Sequence, residues 1–111
     1  MKRVFEDCKY LIEKNALHRK GFRIGEQKPL DHIMYGIGEI GELRQAELDA
    51  EIYTLVPEQH PAHQLEELAD TINCLAFYAA SKGFTPEQIE AECLRKLSIR
   101  LTVTPTEEKK P

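Results

Sequence analysis

The sequence predicts an all-α protein, specifically a four-helix bundle, on three observations. Apolar residues recur at spacings of three and four along most of the chain. No stretch shows the apolar–polar alternation of a half-buried strand. Helix-start and helix-stop residues fall between the periodic segments.

The first helix is expected over residues 2–20, where Val4, Phe5, Cys8, Leu11, Ile12 and Leu17 form one apolar stripe. His18 and the basic residues after it suit the negative end of a helix, and Gly21 is its expected stop. Residues 21–29 read as a loop. Asp31 is the candidate N-cap of a second helix carrying Ile33, Met34, Ile37, Ile40 and Leu43. Gly36, Gly38 and Gly41 fall in its middle, and each costs up to about 1 kcal/mol against alanine. Their presence calls for a break near Gly36, or for close approach of another helix or a ligand.

Residues 50–62 lose the period and contain two prolines, Pro57 and Pro61, so a helix tail and a connection are expected there. The third helix is expected from about His63 to Lys82. Beyond Glu67 it is apolar nearly all round, which marks a central helix, and Gly83 is its stop. Thr85, Pro86 and Gln88 are the N-cap, first position and third position of a capping box. The fourth helix then runs to about Leu101, and 102–111 reads as a frayed tail. One domain over 1–101 is expected, with no internal repeat.

Composition removes several function classes. The chain has 111 residues, 15 basic and 19 acidic side chains, and a formal net charge of −4. Without a basic excess or run, binding of nucleic acid through its phosphates is disfavoured. The longest apolar run, 74–80, is too short to cross a membrane, and the charged N-terminal stretch lacks a signal-peptide core. Cys8, Cys74 and Cys93 show no C-x-x-C spacing, which suggests reduced, packed thiols in a cytoplasmic protein.

The chemistry concentrates in two acidic pairs, Glu39 with Glu42 and Glu67 with Asp70, each three apart and so on one helix face. At this acidic content chance alone supplies roughly three such pairs, so spacing by itself favours a solvated face. The surroundings reverse that balance. Glu39 and Glu42 lie among Ile37, Ile40 and Leu43, and Asp70 heads the apolar run of the third helix. Charges so placed are costly unless they are paired or bound to a metal. Two such helices bring four carboxylates around one hard cation, Mg²⁺ or Mn²⁺. Neither pair is joined by the histidine of a Glu-x-x-His motif, so a carboxylate-bridged di-iron centre is disfavoured. His60 and His63 are spaced H-x-x-H across Pro61, without further ligands for zinc, and are assigned no role.

"GEIGEL" at 38–43 and "LEELAD" at 65–70, followed by an apolar helix and "ECLRKLSIR" at 92–100, resemble the MazG-type all-α nucleoside triphosphate pyrophosphatases. The resemblance covers roughly residues 30–101. The family signature is Glu-Glu-x-x-Glu, a spacer, then Glu-x-x-Asp. Glu39 and Glu42 match its second and third glutamates, Glu67 and Asp70 match the second half, and Gly38 stands at the first glutamate. The asparagine usual between the family's late basic residues appears as Leu97 or Ser98, depending on alignment.

The resemblance implies an oligomeric bundle of this type, with Glu39, Glu42, Glu67 and Asp70 as Mg²⁺ ligands. It implies hydrolysis of a (d)NTP to the monophosphate and pyrophosphate, with Lys96 and Arg100 meeting phosphates. Lys96 and Arg100 equally suit the negative end of a helix. Asn73 and Phe77, one and two turns beyond Asp70, are candidates for the base pocket, with Phe77 favoured as plain core. His32, two turns before Glu39, is read first as a surface or core histidine. Glu42 or Glu66 is a candidate base. A homodimer or homotetramer is expected, because a chain this short has little core of its own. The competing readings are a helical dimer that binds a nucleotide or a protein without turnover, and a structural bundle with solvated acids.

Overall fold

A computed structural model of the chain describes residues 1–14, 28–52 and 60–108, apart from the side chains of 103–108. These residues form four helices: α1 (Lys2–Glu13), α2 (Pro29–Ile52), α3 (His60–Lys82) and α4 (Pro86–Glu108). No described residue is in a strand, so the all-α class holds. No helix is long and apolar enough to cross a membrane among the described residues.

The helix limits follow local chemistry, with four departures from the sequence expectation. α1 ends at Glu13, well short of residue 20. The expected stop at Gly21 and the role of His18 lie outside the described residues. α2 begins at Pro29, with Asp31 inside its first turn rather than at the N-cap. The Asp31 carboxylate reaches back to accept the backbone N–H of Lys28 at 2.7 Å, which satisfies a donor just before the helix. α3 begins at His60, so Pro61 sits near the helix start, where a missing N–H costs little. α4 continues through Glu108, beyond the Leu101 boundary, so 102–108 are helical.

The turn between α3 and α4 is as the sequence predicts. Gly83 takes φ 76°, donates its N–H to Ala80 at 3.1 Å, and is followed by Phe84 donating to Ala79 at 3.0 Å. These two bonds form a Schellman stop. The Thr85 N–H donates to Gln88 Oε1 at 2.9 Å, and the Gln88 N–H donates to Thr85 Oγ1 at 3.1 Å. That reciprocal pair is the capping box.

α3 is central, with α2 and α1 both packed on it. α2 and α3 run antiparallel, since His32 stacks on Phe77, Gly36 meets Cys74, and Gln64 donates to Glu47 at 2.8 Å. Partner numbers fall along α3 as they rise along α2. α2 passes unbroken through its glycines, and at Gly36 the reason is close approach. A Cβ there would lie 3.6 Å from the Cβ of Cys74.

Among the described residues the buried set is small: Cys8, Ala46, Cys74, Ala76 and Ala79, with Thr71 and His32. His32 is the largest fully buried side chain, so it belongs to the core. Small residues let the helix axes approach, but they remove little apolar area from water. Among the described residues the larger apolar side chains are half-buried or exposed. α3 is therefore not buried all round, since Leu65, Leu68 and Leu75 are exposed. The four helices also do not close into one bundle within the chain. Every residue of α4 from Glu90 to Thr102 is exposed.

Two glycine substitutions should move stability in opposite directions. Gly83→Ala puts a Cβ on a left-handed residue and should cost about 1 kcal/mol. Gly36→Ala meets Cys74 at ordinary contact distance and should gain up to about 1 kcal/mol from helix propensity. Urea unfolding followed by circular dichroism measures both. A loss at Gly36→Ala would mean that the α2–α3 contact is tighter than 3.6 Å implies.

Candidate metal centre

The antiparallel pairing of α2 and α3 brings the two acidic pairs face to face. Ligand-capable atoms of Glu39, Glu67 and Asp70 all lie within 4.8 Å of one another. Glu42 falls outside that set, yet it stands close enough to both Glu39 and Glu67 to raise their carboxyls. The four acids are thus one cluster, with Glu39 and Glu67 half-buried and Asp70 and Glu42 exposed at its mouth. Thr71 supports the α3 side by donating its hydroxyl to the Glu67 carbonyl at 3.0 Å.

The electrostatics are unfavourable without a cation. Burial first, then the charges of Glu42 and Asp70, hold the Glu39 carboxyl above its ordinary value of 4.5. Glu67 is raised too, first by partial burial, then by Glu42 and by the charge of Asp70. Burial and crowded like charges disfavour full ionisation, so Glu39 and Glu67 hold protons more tightly than isolated acids do. Glu39 Oε2 and Glu67 Oε2 are also buried with no hydrogen-bond partner. Buried lone pairs without a donor are costly, and a divalent cation among hard oxygen ligands would satisfy both. The donor set contains only carboxylates, which suits Mg²⁺ or Mn²⁺ rather than a softer metal.

The other predicted residues are placed less uniformly. Asn73 is exposed on α3, one turn beyond Asp70. Phe77 is half-buried against His32, with ring centroids 6.0 Å apart, and so belongs to the α2–α3 packing. Glu66 is exposed and is not one of the clustered acids. Lys96 and Arg100 are exposed on α4, which does not pack along α2 or α3, so one chain does not assemble them with the acids.

Two features escape the sequence reading. His63 lies in the first turn of α3, and its charge lowers the pKa of Glu67 against the other influences. The spacing of four to Glu67 was the available signal. The second feature is an open groove of about 350 Å³ beside the cluster, lined by Asp31, Met34, Tyr35, Gly38, Glu39 and Glu42. Nothing lies within 4 Å of where a Gly38 Cβ would be, so the missing side chain leaves this space empty. Compared with known proteins, the chain matches no protein-family model, no curated protein and no solved structure.

The raised carboxyls fix the sign of a pH dependence. A folded-state pKa above the unfolded value means that the folded chain binds more protons. In metal-free protein, Glu39 and Glu67 therefore favour folding at and below pH 4.5, and that contribution is lost as pH rises through their raised values. Mg²⁺ at millimolar concentration should raise the thermal midpoint at pH 7.5, and the rise should shrink as the acids protonate. Glu67→Gln should stabilise the metal-free protein at neutral pH and lose the Mg²⁺ response. Scanning fluorimetry with EDTA or Mg²⁺ reads both effects. An equal Mg²⁺ shift in wild type and variant would place the cation elsewhere.

Proposed function

We propose that the chain is a Mg²⁺-dependent nucleoside triphosphate pyrophosphohydrolase of the MazG type, converting a (d)NTP to the monophosphate and pyrophosphate. One observation carries this reading. Carboxylates from two antiparallel helices converge within ligand distance, and two of their oxygens are buried without a hydrogen-bond donor. Structural surface acids have no reason to be left in that condition. The motif resemblance supplies the reaction.

In this reading Glu39, Glu67 and Asp70 hold the cation, and Glu42 stands at the mouth in contact with two of them. The cation would supply charge neutralisation on the triphosphate oxygens. Glu42 is exposed beside the ligands, a position suited to taking the proton of the attacking water. The water oxygen bonds to the α-phosphorus, the bond from that phosphorus to the bridging oxygen breaks, and pyrophosphate leaves with the electron pair. Met34 and Tyr35 offer apolar walls to the rest of the substrate in the adjoining groove, and Asn73 offers an amide next to Asp70. Lys96 and Arg100 neutralise the departing phosphates when a second copy brings α4 to the cluster. The enzyme works as a homodimer or homotetramer in the cytoplasm.

A second reading has Gly38 in its favour. Without the first acid of the signature, the same groove and cluster would bind a nucleotide, or a partner protein, and leave it intact. A pyrophosphate-release screen over the (d)NTPs with Mg²⁺ separates the two. The enzyme reading expects release from at least one nucleotide, none in EDTA, and a loss on the order of a hundredfold or more for Glu42→Gln and Asp70→Asn. Binding without release would support the second reading. Turnover that survived both substitutions would remove the acids from the mechanism.

A further inference from the structure

The groove beside the acidic cluster has an order along its length. Its lining residues form two stripes on α2, Asp31–Tyr35–Glu39 and Met34–Gly38–Glu42, each recurring at spacings of four. Glu39 and Glu42 stand at one end, within the cluster. The gap left by Gly38 comes next, then the Tyr35 ring and the Met34 thioether. Asp31 stands at the far end, eight residues from Glu39, or about 12 Å along the helix axis. That span is comparable to the separation between the phosphates of a nucleotide and the hydrogen-bonding edge of its base.

Asp31 is half-buried, and its chemistry is restricted. An ionised carboxylate accepts hydrogen bonds and donates none. Oδ2 of Asp31 already accepts the Lys28 N–H at 2.7 Å, which fixes the side chain and leaves its second oxygen for another donor. Three of the six lining residues are acids and none is basic. The Asp31 end therefore repels phosphate, and the cluster end attracts it only through a cation. A nucleotide has one favourable orientation here, with its phosphates at the acids and its base toward Asp31. Asn73, the other polar group considered for the base, does not line the groove.

We infer that the groove seats the nucleoside part of the substrate, and that Asp31 selects bases carrying an amino group where uracil, thymine or hypoxanthine carries a carbonyl. Cytosine and adenine are such bases. Their amino hydrogen donates to the second oxygen of Asp31. A carbonyl in that place would set acceptor against acceptor and leave both without a donor. Tyr35 offers a ring to the base face, Met34 an adaptable apolar wall, and the gap at Gly38 takes the sugar. Asp31 is thus a specificity residue and touches none of the reacting atoms. The presence of a nucleotide rests on the pyrophosphohydrolase reading, but the selection acts at binding and does not require turnover.

Matched pairs of bases test this without reference to catalysis. Isothermal titration in Mg²⁺ with α,β-methylene analogues, which the reaction cannot cleave, compares dCTP with dUTP and dATP with dITP. Each amino base should bind at least about tenfold tighter than its oxo partner. Asp31→Asn gives a test by sign. The asparagine oxygen can keep the Lys28 N–H, so its NH₂ offers the groove a donor in place of an acceptor. The variant should keep its helicity by circular dichroism and bind the dUTP analogue at least as tightly as the dCTP analogue. A purely structural role for Asp31 would weaken all four analogues alike. Gly38→Leu fills the gap where no atom lies within 4 Å of a Cβ, and should remove nucleotide binding while keeping the Mg²⁺ thermal shift.

Equal binding of amino and oxo bases by wild type, an unchanged preference in Asp31→Asn, or nucleotide binding that survives Gly38→Leu overturns the inference. So does the absence of binding by every analogue. A clear preference for amino bases with no pyrophosphate released from any (d)NTP overturns the enzymatic reading and leaves the groove assignment standing. Release that ignores the base does the reverse.

Discussion

The close pairing of α2 with α3 is the constraint on which the rest of the structure depends. It is possible because Gly36 presents no side chain to Cys74. Small residues on both helices bring the backbones near enough for glutamate side chains one turn further on to meet across the gap. Had the seam been built from leucines, the axes would stand further apart and Glu39 would not reach Glu67 and Asp70. The same seam that forms the cluster also limits the core, since alanine and cysteine bury little area. Acid convergence and the shortage of core are two results of one packing choice.

That choice makes the isolated chain a compromise. Within it the seam holds like charges together, and two of them are raised in pKa by burial and by each other. Repulsion of this kind is tolerated where a cation relieves it in the working state, and it is a common mark of a functional site rather than of a fold-stabilising one. The apolar residues missing from the core are not missing from the sequence. They form the outer faces of α2 and α4, where leucines and isoleucines stand exposed at helical spacing. Surface ion pairs such as Lys2–Glu6 and Lys9–Glu13 contribute little beside these terms, being well solvated.

Much of this was legible in the sequence wherever the cause is local. Thr85 with Gln88, and Gly83 before them, specify their turn through bonds within six residues, and the structure shows each of those bonds. The acidic pairs were legible because a spacing of three fixes a shared face whatever the helix packs against. What failed was tertiary. Three glycines in six positions read equally as a break or as a contact, and only the position of Cys74 shows that Gly36 is the contact while Gly38 and Gly41 face open space. The exposure of α4 could not be read from its own sequence, because an apolar stripe looks the same whether it packs within the chain or awaits another. His63 was given no role because an H-x-x-H across Pro61 without further ligands makes no zinc site, whereas its place in the first turn of α3 sets it one turn before Glu67.

Gly38 draws these threads together. A glutamate there would add a further negative charge beside a cluster that already raises the pKa of two of its members, and its side chain would extend into the groove against Met34 and Tyr35. Glycine does the opposite on both counts. It keeps the negative charge of the acidic cluster lower, and it widens the space beside Glu39 and Glu42. It also leaves α2 with two open notches, Gly38 and Gly41, on adjoining parts of its surface. A glycine at this one position therefore bears on the charge of the cluster, on the width of the groove and on how closely a neighbouring helix can approach. Any restoration of the acid has to be read against all three, because a gain in metal binding would come with a narrower groove.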